Sequence, residues 1–450
     1  MSVRTIFGET LTDIMDRDDQ AIVRERSQVS LCTTVAEGDQ PFIPYKGDAN
    51  YHILRNGRPI LDLTSQYGVA PFGNYSRAHR NMYDLLQEFG RGKYAASVDP
   101  DPGHRLEVLL KQRLLEFLPE GYEFILFELS GATANNVALT IAEHISPKRN
   151  QWGSFERAFH GRHQPAKDLT ASNTGHKAPG YRPSLSTVYF PYPSSSKDII
   201  RLLEFINANE ERTFSIENLS AFMMEFIQGE GGMYVPRESV MHNFVEALQE
   251  KGVLVIADEC QTFIRTGRRC AFEHYDVKPD MITISKIFSW CGFPMGAVIV
   301  RKGLIKEGTL PLGWHSGSQL GQPLPCLAGL VMLETAIKEN LVEHAQKIGS
   351  LFIEKLQSAL KDNPLVKEIR GKGLMIGIDI VNLEGKPDAG LLGSVVDACL
   401  EKGVYVGTAG NKKHETVVRL LPPLMITAHE IDFAVKQIQD AFDLFFEAYR

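Results

Sequence analysis

The chain has 450 residues, of which 43% are hydrophobic and 23% are charged, and its formal net charge is −7 at pH 7. This composition is typical of a globular protein, and the acidic balance excludes a basic surface for nucleic acid or an anionic membrane. No segment approaches the ~20 apolar residues that span a bilayer, and the first residues lack the apolar core of a secretion signal. We therefore expect neither nucleic-acid nor membrane partners.

Six cysteines are scattered along the chain, and no two have the Cys-x-x-Cys spacing of a zinc site or a dithiol redox motif. We therefore predict that the protein holds no metal ion and that its thiols are reduced, as is typical of the cytoplasm. The six residues are Cys32, Cys260, Cys270, Cys291, Cys326 and Cys399.

The first two thirds of the chain have the pattern of a large α/β domain. Residues 1–65 begin with a mixed, polar stretch, and we predict that this N-terminal segment joins a smaller domain. Across residues 66–325, apolar runs alternate with helical stretches such as Glu238–Glu250, which predicts a mostly parallel sheet. Several runs are continuously apolar, as expected of strands buried on both faces. The predicted strands are Phe124–Phe127, Thr187–Phe190, Ala221–Phe226, Val253–Ala257, Met281–Ile284 and Ala297–Val300.

The pattern changes after residue 325, and we predict a smaller α+β domain over residues 326–450. Apolar residues recur with helical spacing in Leu341–Leu360. Thr427 and Glu430 have the spacing of a capping box, in which each side chain accepts a hydrogen bond from the backbone N–H of the other, so the last helix should begin there. The strands of this domain are predicted within residues 364–380 and 402–420.

Two neighbouring predicted strands lead into ionisable residues. Asp258 directly follows Val253–Ala257, and Lys286 comes two residues after Met281–Ile284. Because ligands of open α/β sheets bind outside the carboxyl ends of the strands, both side chains should lie at one ligand site. A lysine amine can hold the aldehyde of pyridoxal phosphate, and a carboxylate can keep its ring nitrogen protonated. Either residue alone is more often a helix cap or a solvated charge, so the prediction depends on the surrounding motifs.

Two further motifs supply groups that this cofactor needs. Ser130-Gly-Ala-Thr-Ala-Asn135 follows a predicted strand and should open a helix, whose free N–H groups bind phosphate. Phe159-His-Gly-Arg162 brings an aromatic ring that can stack on the cofactor and an arginine that can bind a carboxylate. Taken alone, the first motif is often a simple helix cap, and the second is often a core phenylalanine beside a surface arginine.

From about Ile60 to the C-terminus, the chain resembles the class III aminotransferases, the group of the ornithine, acetylornithine and 4-aminobutyrate aminotransferases. No single motif carries the resemblance, but their ordered occurrence does. The resemblance implies the fold type I of pyridoxal 5'-phosphate-dependent transferases and a homodimer with shared active sites. The motifs are Asp62-Leu-Thr-Ser, Ser130-Gly-Ala, Phe159-His-Gly-Arg162, Glu225-Phe-Ile-Gln-Gly-Glu230, Asp258-Glu-Cys-Gln261, Lys286, Gly321-Gln-Pro-Leu324, Arg370-Gly-Lys-Gly-Leu374 and Arg419-Leu-Leu-Pro-Pro423.

The resemblance also implies roles for individual residues. The catalytic pair is Lys286, which carries the cofactor as an aldimine, and Asp258, which binds the ring nitrogen. The other cofactor-binding residues are Gly131 and Ala132 at the phosphate, Phe159 and Cys260 on the two ring faces, Gln261 at the ring hydroxyl, and Ser318, which reaches the phosphate of the neighbouring subunit. The substrate-binding residues are Arg162, Glu225, Glu230 and Arg419, of which Arg419 binds the α-carboxylate and Glu230 covers it when no substrate is present.

The chain departs from the family pattern at four places, although the residues that handle the cofactor remain. Two bulky aromatic side chains gained and two glycines lost indicate a reshaped pocket, which leaves the substrate and the type of reaction open. The departures are Thr133 in place of glutamate, Phe226 in place of proline, the segment Thr262–Gly267, which is one residue shorter and lacks its inner glycines, and Trp290 in the normally glycine-rich run after Lys286.

Most relatives move an amino group from an amino acid to a 2-oxo acid, and we predict this function for the chain. Another pyridoxal phosphate reaction in the same fold is the alternative: racemisation, decarboxylation, or β- or γ-elimination or replacement. A non-catalytic binding protein would have lost Lys286 or Asp258, and both are present. A nicotinamide dehydrogenase would need G-x-G-x-x-G between its first strand and helix, which Gly371-Lys-Gly373 does not provide.

Overall fold

A computed structural model of the chain describes residues 44, 46–92, 95, 104–177, 180–209, 215–311, 313–410 and 416–448. Most of the predicted N-terminal segment, together with Cys32, lies outside the described residues. The predicted boundaries between segment, large domain and small domain stay a prediction.

Three strands near residue 50 open the described part of the chain: β1 (Lys46–Asp48), β2 (Tyr51–Ile53) and β3 (Pro59–Asp62). They pair antiparallel in chain order, and β3 also pairs in parallel with the short, late strand β13 (Val404–Tyr405). The first described strands are therefore hydrogen-bonded, through β3 and β13, to the last third of the chain.

A seven-stranded sheet forms the centre of the protein, in the order β4-β10-β9-β8-β7-β5-β6. Four of its six strand pairings are parallel, and β10 is antiparallel to both of its neighbours. The six predicted strands are confirmed, each within two residues at either end, whereas β5 was not predicted. The strands are β4 (Tyr122–Glu128), β5 (Gln151–Phe155), β6 (Ser186–Phe190), β7 (Leu219–Met224), β8 (Leu254–Asp258), β9 (Met281–Ile284) and β10 (Gly296–Arg301).

Helices pack against the strands of this sheet. The predicted helix over Glu238–Glu250 is confirmed, and its buried residues Met241, Phe244, Val245 and Leu248 lie at helical spacing. The helices are α1 (Arg77–Gly90), α2 (Arg105–Phe117), α3 (Gly131–Ile145), α4 (Ala166–Leu169), α5 (Ser196–Asn209), α6 (Glu238–Glu250), α7 (Pro323–Lys338), α8 (Leu341–Ala359), α9 (Ala389–Glu401) and α10 (Ala428–Ala448).

A four-stranded antiparallel sheet lies late in the chain, and we name it the C-terminal sheet. Its strand order is β11-β12-β15-β14, and helices α8 and α10 pack against each other beside it. The predicted capping box is confirmed, because Thr427 Oγ1 accepts from Glu430 N at 3.2 Å and Glu430 Oε2 accepts from Thr427 N at 2.8 Å. The strands are β11 (Val366–Lys372), β12 (Met375–Ile380), β14 (Gly407–Ala409) and β15 (Val417–Leu420).

Strands β8 and β9 run in parallel with Asp258 opposite Thr283, so their carboxyl ends meet at one edge of the large sheet. All residues of both strands are buried, which explains their continuous apolar sequence. Asp258 is the last residue of β8, and Lys286 begins an irregular helical turn directly after β9. The fold thereby places both residues at the same edge. Among the described residues, we find no helix with the length and hydropathy needed to cross a membrane.

Candidate active site

A cavity of about 270 Å³ opens at this edge of the large sheet. Nine of the twelve residues predicted for the site line it. Glu230, Ser318 and Arg419 are the three that do not. The nine are Gly131, Ala132, Phe159, Arg162, Glu225, Asp258, Cys260, Gln261 and Lys286.

Asp258 is 5% exposed and accepts three hydrogen bonds. Asn135 Nδ2 and His160 Nδ1 each lie 2.8 Å from Asp258 Oδ2, and Cys260 N donates to Asp258 Oδ1 at 3.1 Å. Burial alone would raise the pKa of Asp258, but the hydrogen bonds from His160, Cys260 and Asn135 lower it below its ordinary value. The carboxylate therefore stays ionised in a buried site, as a partner for a protonated ring nitrogen must.

His160 and Asn135 were not predicted as site residues, although both lie inside motifs that the sequence analysis singled out. His160 is 1% exposed, and its Nε2 lies 3.2 Å from Ser154 Oγ on β5. Asn135 also donates to His160 O at 2.8 Å and accepts from Thr283 Oγ1 at 2.6 Å. These contacts fix the orientation of Asp258 from two sides. Their polar residue types within a cofactor motif were the only sequence signal.

Lys286 has a left-handed backbone, with φ of 48°, which is uncommon for a residue other than glycine. Burial lowers the pKa of its ammonium group, against the opposing effect of Cys260, Glu230, Asp258 and Glu225. A lowered pKa favours the neutral amine, which is the form that acts as a nucleophile or a base. Among the described residues, it is the only lysine that lines the cavity.

The N-terminus of α3 faces the cavity through Ser130, Gly131 and Ala132. Ser130 caps the helix, since its Oγ accepts from Thr133 N at 3.2 Å while Ser130 N donates to Thr133 Oγ1 at 3.1 Å. Thr133 thus completes the capping box that a glutamate would form, so its departure from the family leaves the helix start intact. A Cβ on Gly131 would come within 2.6 Å of Cys260 Sγ, so only glycine fits.

The remaining walls of the cavity suit a planar, polar ring. Phe159 and Cys260 provide apolar surface, and burial raises the pKa of the Cys260 thiol well above its ordinary value, so this sulfur stays neutral. Gln261 Nε2 donates to Tyr67 O at 3.4 Å, whereas its buried Oε1 has no hydrogen-bond partner among the described residues. An unsatisfied buried acceptor is rare and indicates a missing donor, such as a ring hydroxyl.

Glu225 and Arg162 line the substrate side of the cavity. Glu225 accepts from Phe159 N at 2.9 Å and from Gly229 N at 3.1 Å. Burial, helped by Asp258, raises the pKa of Glu225 to about 7. Arg162 is exposed, and its charge helps burial to lower the pKa of His176, whose ring lies edge-on to Phe159 with centroids 5.3 Å apart. His176 is a cavity neighbour that sequence analysis missed.

Glu230 and Arg419 form an ion pair beside the cavity. Arg419 is 2% exposed, and its guanidinium carbon lies 4.8 Å from the centre of the Tyr67 ring. Burial alone would raise the pKa of Glu230, but Arg419 lowers it, and Lys286 contributes to the same effect. The pair is therefore within electrostatic reach of Lys286. Tyr67 belongs to a left-handed turn, Ser65–Gly68, in which all four φ values are positive.

Ser318 lies away from the cavity of its own chain. It is exposed, on the loop before α7, and its carbonyl accepts from Gln322 Nε2 at 2.9 Å. This position agrees with a contact to another subunit, but its predicted phosphate contact stays a prediction.

Of the other departures from the family pattern, only Thr262 lines the cavity, and the bulky side chains do not. Phe226 and Phe263 are 1% exposed and pack in the core. Ile264 is fully buried with φ of 65°, the left-handed conformation that a glycine adopts readily. Trp290 donates to Ala328 O at 2.7 Å, and its ring lies 4.9 Å from that of Phe72.

These groups fit pyridoxal 5'-phosphate. The fit includes the N-terminus of α3 for the phosphate, the unsatisfied Gln261 Oε1 for the ring hydroxyl, the ionised Asp258 for the ring nitrogen, and Lys286 for the aldehyde. Among the described residues there is no cluster of three histidine, cysteine or acidic side chains that could hold a metal ion.

Comparison with known proteins agrees with this chemistry. The family model of class-III aminotransferases matches residues 34–442. The chain is 34% identical to the acetylornithine aminotransferase of Methanosarcina mazei over 71% of this chain and 73% of the relative, and 33% identical to that of Archaeoglobus fulgidus over 88% and 94%. A crystal structure of a Bacillus anthracis aminotransferase superposes with a TM-score of 0.84 at 26% identity, covering 94% of this chain and 98% of the other.

The match supports amino-group transfer over the other pyridoxal phosphate reactions, and the superposition confirms the fold type I architecture. The chain belongs to the class III aminotransferases and uses pyridoxal 5'-phosphate to transfer amino groups.

Proposed function

We propose that this enzyme moves an amino group between an α-amino acid and a 2-oxo acid, with Lys286 and Asp258 as its catalytic pair. The observation that carries the proposal is the position of these two residues at the ends of adjacent parallel strands, in one cavity with the N-terminus of α3. Pyridoxal phosphate, when bound, supplies an electron sink for the substrate carbon that bears the amino group.

Residues of the chain bind the cofactor and move protons. Asp258, held ionised by its three donors, keeps a proton on the ring nitrogen. Gly131 and Ala132 would donate their backbone N–H groups to the phosphate, and Phe159 and Cys260 would pack against the ring. Lys286 moves a proton at the substrate, for which its lowered pKa suits it because a lysine acts as a base only as the neutral amine.

Arg419 binds the α-carboxylate that the amino acid and the 2-oxo acid have in common. Its planar guanidinium can hold a carboxylate through two parallel hydrogen bonds. Glu230 pairs with Arg419 in the absence of substrate, so that the buried cation is not left unpaired. Arg162 and Glu225 contact the part of the substrate beyond the α-carbon. Relatives at 33–34% identity are named acetylornithine aminotransferases, and a substrate with a polar side chain fits these two residues.

We also propose that the enzyme is a homodimer. Of the fourteen exposed large hydrophobic side chains among the described residues, eight fall between Tyr67 and Leu129. Leu129 lines a groove with Gln319, beside the exposed Ser318, which would reach the cofactor of the second subunit.

The described cysteines are free, which supports a reducing compartment such as the cytoplasm.

The dimer is tested by sedimentation of the wild-type enzyme and of two variants. Leu109→Asp replaces a residue that is 44% exposed and lies between Tyr67 and Leu129, and Phe433→Asp replaces one that is 37% exposed on α10, outside this range. We expect only Leu109→Asp to dissociate the dimer. An active wild-type monomer would rule the homodimer out.

The reaction is tested by mixing the purified holoenzyme with a panel of amino acids in the absence of a 2-oxo acid. We expect the cofactor absorbance to change with some of them and the matching 2-oxo acid to accumulate in an amount equal to the enzyme. The Lys286→Ala variant is the control and should produce none. Release of ammonia, carbon dioxide or the mirror-image amino acid in place of the 2-oxo acid would contradict the proposal.

A further inference from the structure

Two arginines of the C-terminal sheet lie in one row across its strands. Arg370 of β11 is opposite Gly377 of β12, and Gly377 is opposite Arg419 of β15. Side chains directly opposite one another on paired strands point to the same face of the sheet. Arg370 and Arg419 therefore share a face, are 8% and 2% exposed, and are separated by a residue without a side chain.

The loop that carries Glu230 lies across this row, and we name residues 229–234 the gate loop. Glu230 pairs with Arg419 at one end of the row. In the middle, a Cβ on Gly377 would come within 2.9 Å of Met233 Cβ, so the glycine leaves room for Met233. At the other end, Arg370 Nε donates to Gly232 O at 2.9 Å. The sheet thus contacts the gate loop at three successive points.

Arg370 is well placed to hold the gate loop in register. Its Nη1 donates to Asp379 Oδ2 at 3.1 Å and to Glu368 Oε2 at 3.0 Å, which fixes the guanidinium on its own strand pair. Its guanidinium carbon also lies 4.0 Å from the centre of the Tyr234 ring, at the end of the gate loop. One buried side chain therefore binds the loop through both a backbone carbonyl and an aromatic ring.

We propose that Arg370 and Gly377 are positioning residues for Glu230, which set how firmly this carboxylate covers Arg419. The inference rests on the proposed function, in which Glu230 leaves Arg419 before a substrate carboxylate binds. A carboxylate then binds only enzyme in which Arg419 is uncovered, so its apparent affinity falls as the covered fraction rises. A displaced or loosened gate loop should lower that fraction and raise the apparent affinity for carboxylates.

The test measures the dissociation constants of the holoenzyme for two unbranched probes by calorimetric titration. Pentanoate carries a carboxylate and no amino group, and pentylamine carries an amino group and no carboxylate. We expect Gly377→Ala and Arg370→Gln to bind pentanoate about five-fold or more tightly than the wild type, within the usual range of coupling between sites. Their affinity for pentylamine should change by less than about two-fold, since no carboxylate is involved.

Gly377→Ala is the decisive variant because its Cβ would meet Met233 Cβ at 2.9 Å and Val417 Cγ1 at 3.0 Å while every charge stays in place. Arg370→Gln leaves the buried Asp379 without its closest cation, so its thermal unfolding must be measured beside its affinity. Lys372→Gln is the matched control. Lys372 also lies on β11, and its ion pair with Glu238 does not involve the gate loop. This variant should bind pentanoate as the wild type does.

Glu230→Gln separates failure of the inference from failure of the proposed function. If Glu230→Gln leaves pentanoate affinity unchanged, Glu230 is not a gate, and the inference fails together with the role proposed for Glu230, whereas amino-group transfer itself is tested by accumulation of the 2-oxo acid. If Glu230→Gln tightens pentanoate binding while Gly377→Ala and a folded Arg370→Gln do not, only the positioning role is wrong. Adding Gly377→Ala to Glu230→Gln should bring no further gain, because both act on the same step, and additive gains would overturn the proposal.

Discussion

Nδ1 of His160 lies 2.8 Å from Oδ2 of Asp258, and both side chains are buried. On its other edge, the imidazole lies 3.2 Å from Ser154 Oγ, so the ring is held between strands β5 and β8 of the large sheet. His160 lines the cavity, but the hydrogen bonds of its ring go to Asp258 and Ser154. It acts on the chemistry through the carboxylate that it orients.

His160→Leu should therefore lower kcat by about ten-fold or more, because a hydrogen bond to a charged group contributes roughly 1.5–3 kcal/mol. The loss of this bond also raises the pKa of Asp258, so the cofactor absorbance should respond to pH at a higher value than in the wild type. Steady-state kinetics and a pH titration of the absorbance measure the two effects. Ser154→Ala, which removes only the outer contact, should have the smaller effect on both.

Glu225 should give substrate binding a pH dependence near neutrality. Burial raises its pKa to about 7, so the side chain is neutral below this pH and gains a negative charge above it. The charge faces Asp258, His160 and Lys286, and it repels a substrate carboxylate. We expect KM for a dicarboxylic donor to rise several-fold between pH 6 and pH 8, in line with one added charge at close range.

The control for this pH dependence of KM is Glu225→Gln, whose side chain cannot ionise. KM of this variant should stay level across the same pH range, while KM for a donor without a side-chain carboxylate should show a smaller step in the wild type. An equal rise of KM in the wild type and in Glu225→Gln would assign the titration to another group.

Arg419→Lys should weaken binding of α-amino acids by at least about ten-fold, since an ammonium group cannot reproduce two parallel bonds to a carboxylate. Cofactor loading should remain intact, because Arg419 does not line the cavity that fits the cofactor. Titration of the cofactor absorbance with amino acid measures both. Equal affinity in the two proteins would remove Arg419 from the substrate site and favour amines without a carboxylate as substrates.

Cys291 allows a test of backbone strain in the irregular helical turn that begins at Lys286. Its φ is 59°, a conformation that costs about 1–2 kcal/mol for a residue with a side chain. Cys291→Gly should leave the free energy of unfolding within about 1 kcal/mol of the wild type, because relief of strain offsets the greater freedom of glycine in the unfolded chain. Cys291→Val should lower it by more than about 1 kcal/mol, since β-branched residues tolerate this region least. Denaturant unfolding distinguishes the two.

The centre of the site could be predicted from the sequence because it depends on two short segments of the chain. Two apolar strands lead into Asp258 and Lys286, and parallel neighbours in a sheet bring such ends together. The same logic cannot reveal that β10 runs antiparallel to β9, since an apolar strand has no direction in its composition. It also cannot show that bulky residues such as Trp290 pack away from the cavity, because this depends on contacts with distant segments, such as Phe72 before it and Ala328 after it.

The contacts that orient the site required the structure. His160 meets Asp258 across 98 positions of sequence, and its motif alone did not reveal this partner. The row of Arg370, Gly377 and Arg419 depends on the register of three antiparallel strands, which no spacing in the sequence determines. Ile264 retains a left-handed backbone without a glycine, and only the surrounding packing explains how that conformation persists.

The assignment of the active site is tested most directly by locating the lysine that holds the cofactor. Borohydride reduction of the holoenzyme fixes bound pyridoxal phosphate to the amine that carries it, and peptide mapping then identifies the labelled residue. We predict that the label is on Lys286 and is lost in Lys286→Ala. A label on any other lysine in the wild-type enzyme would contradict the assignment of the whole site.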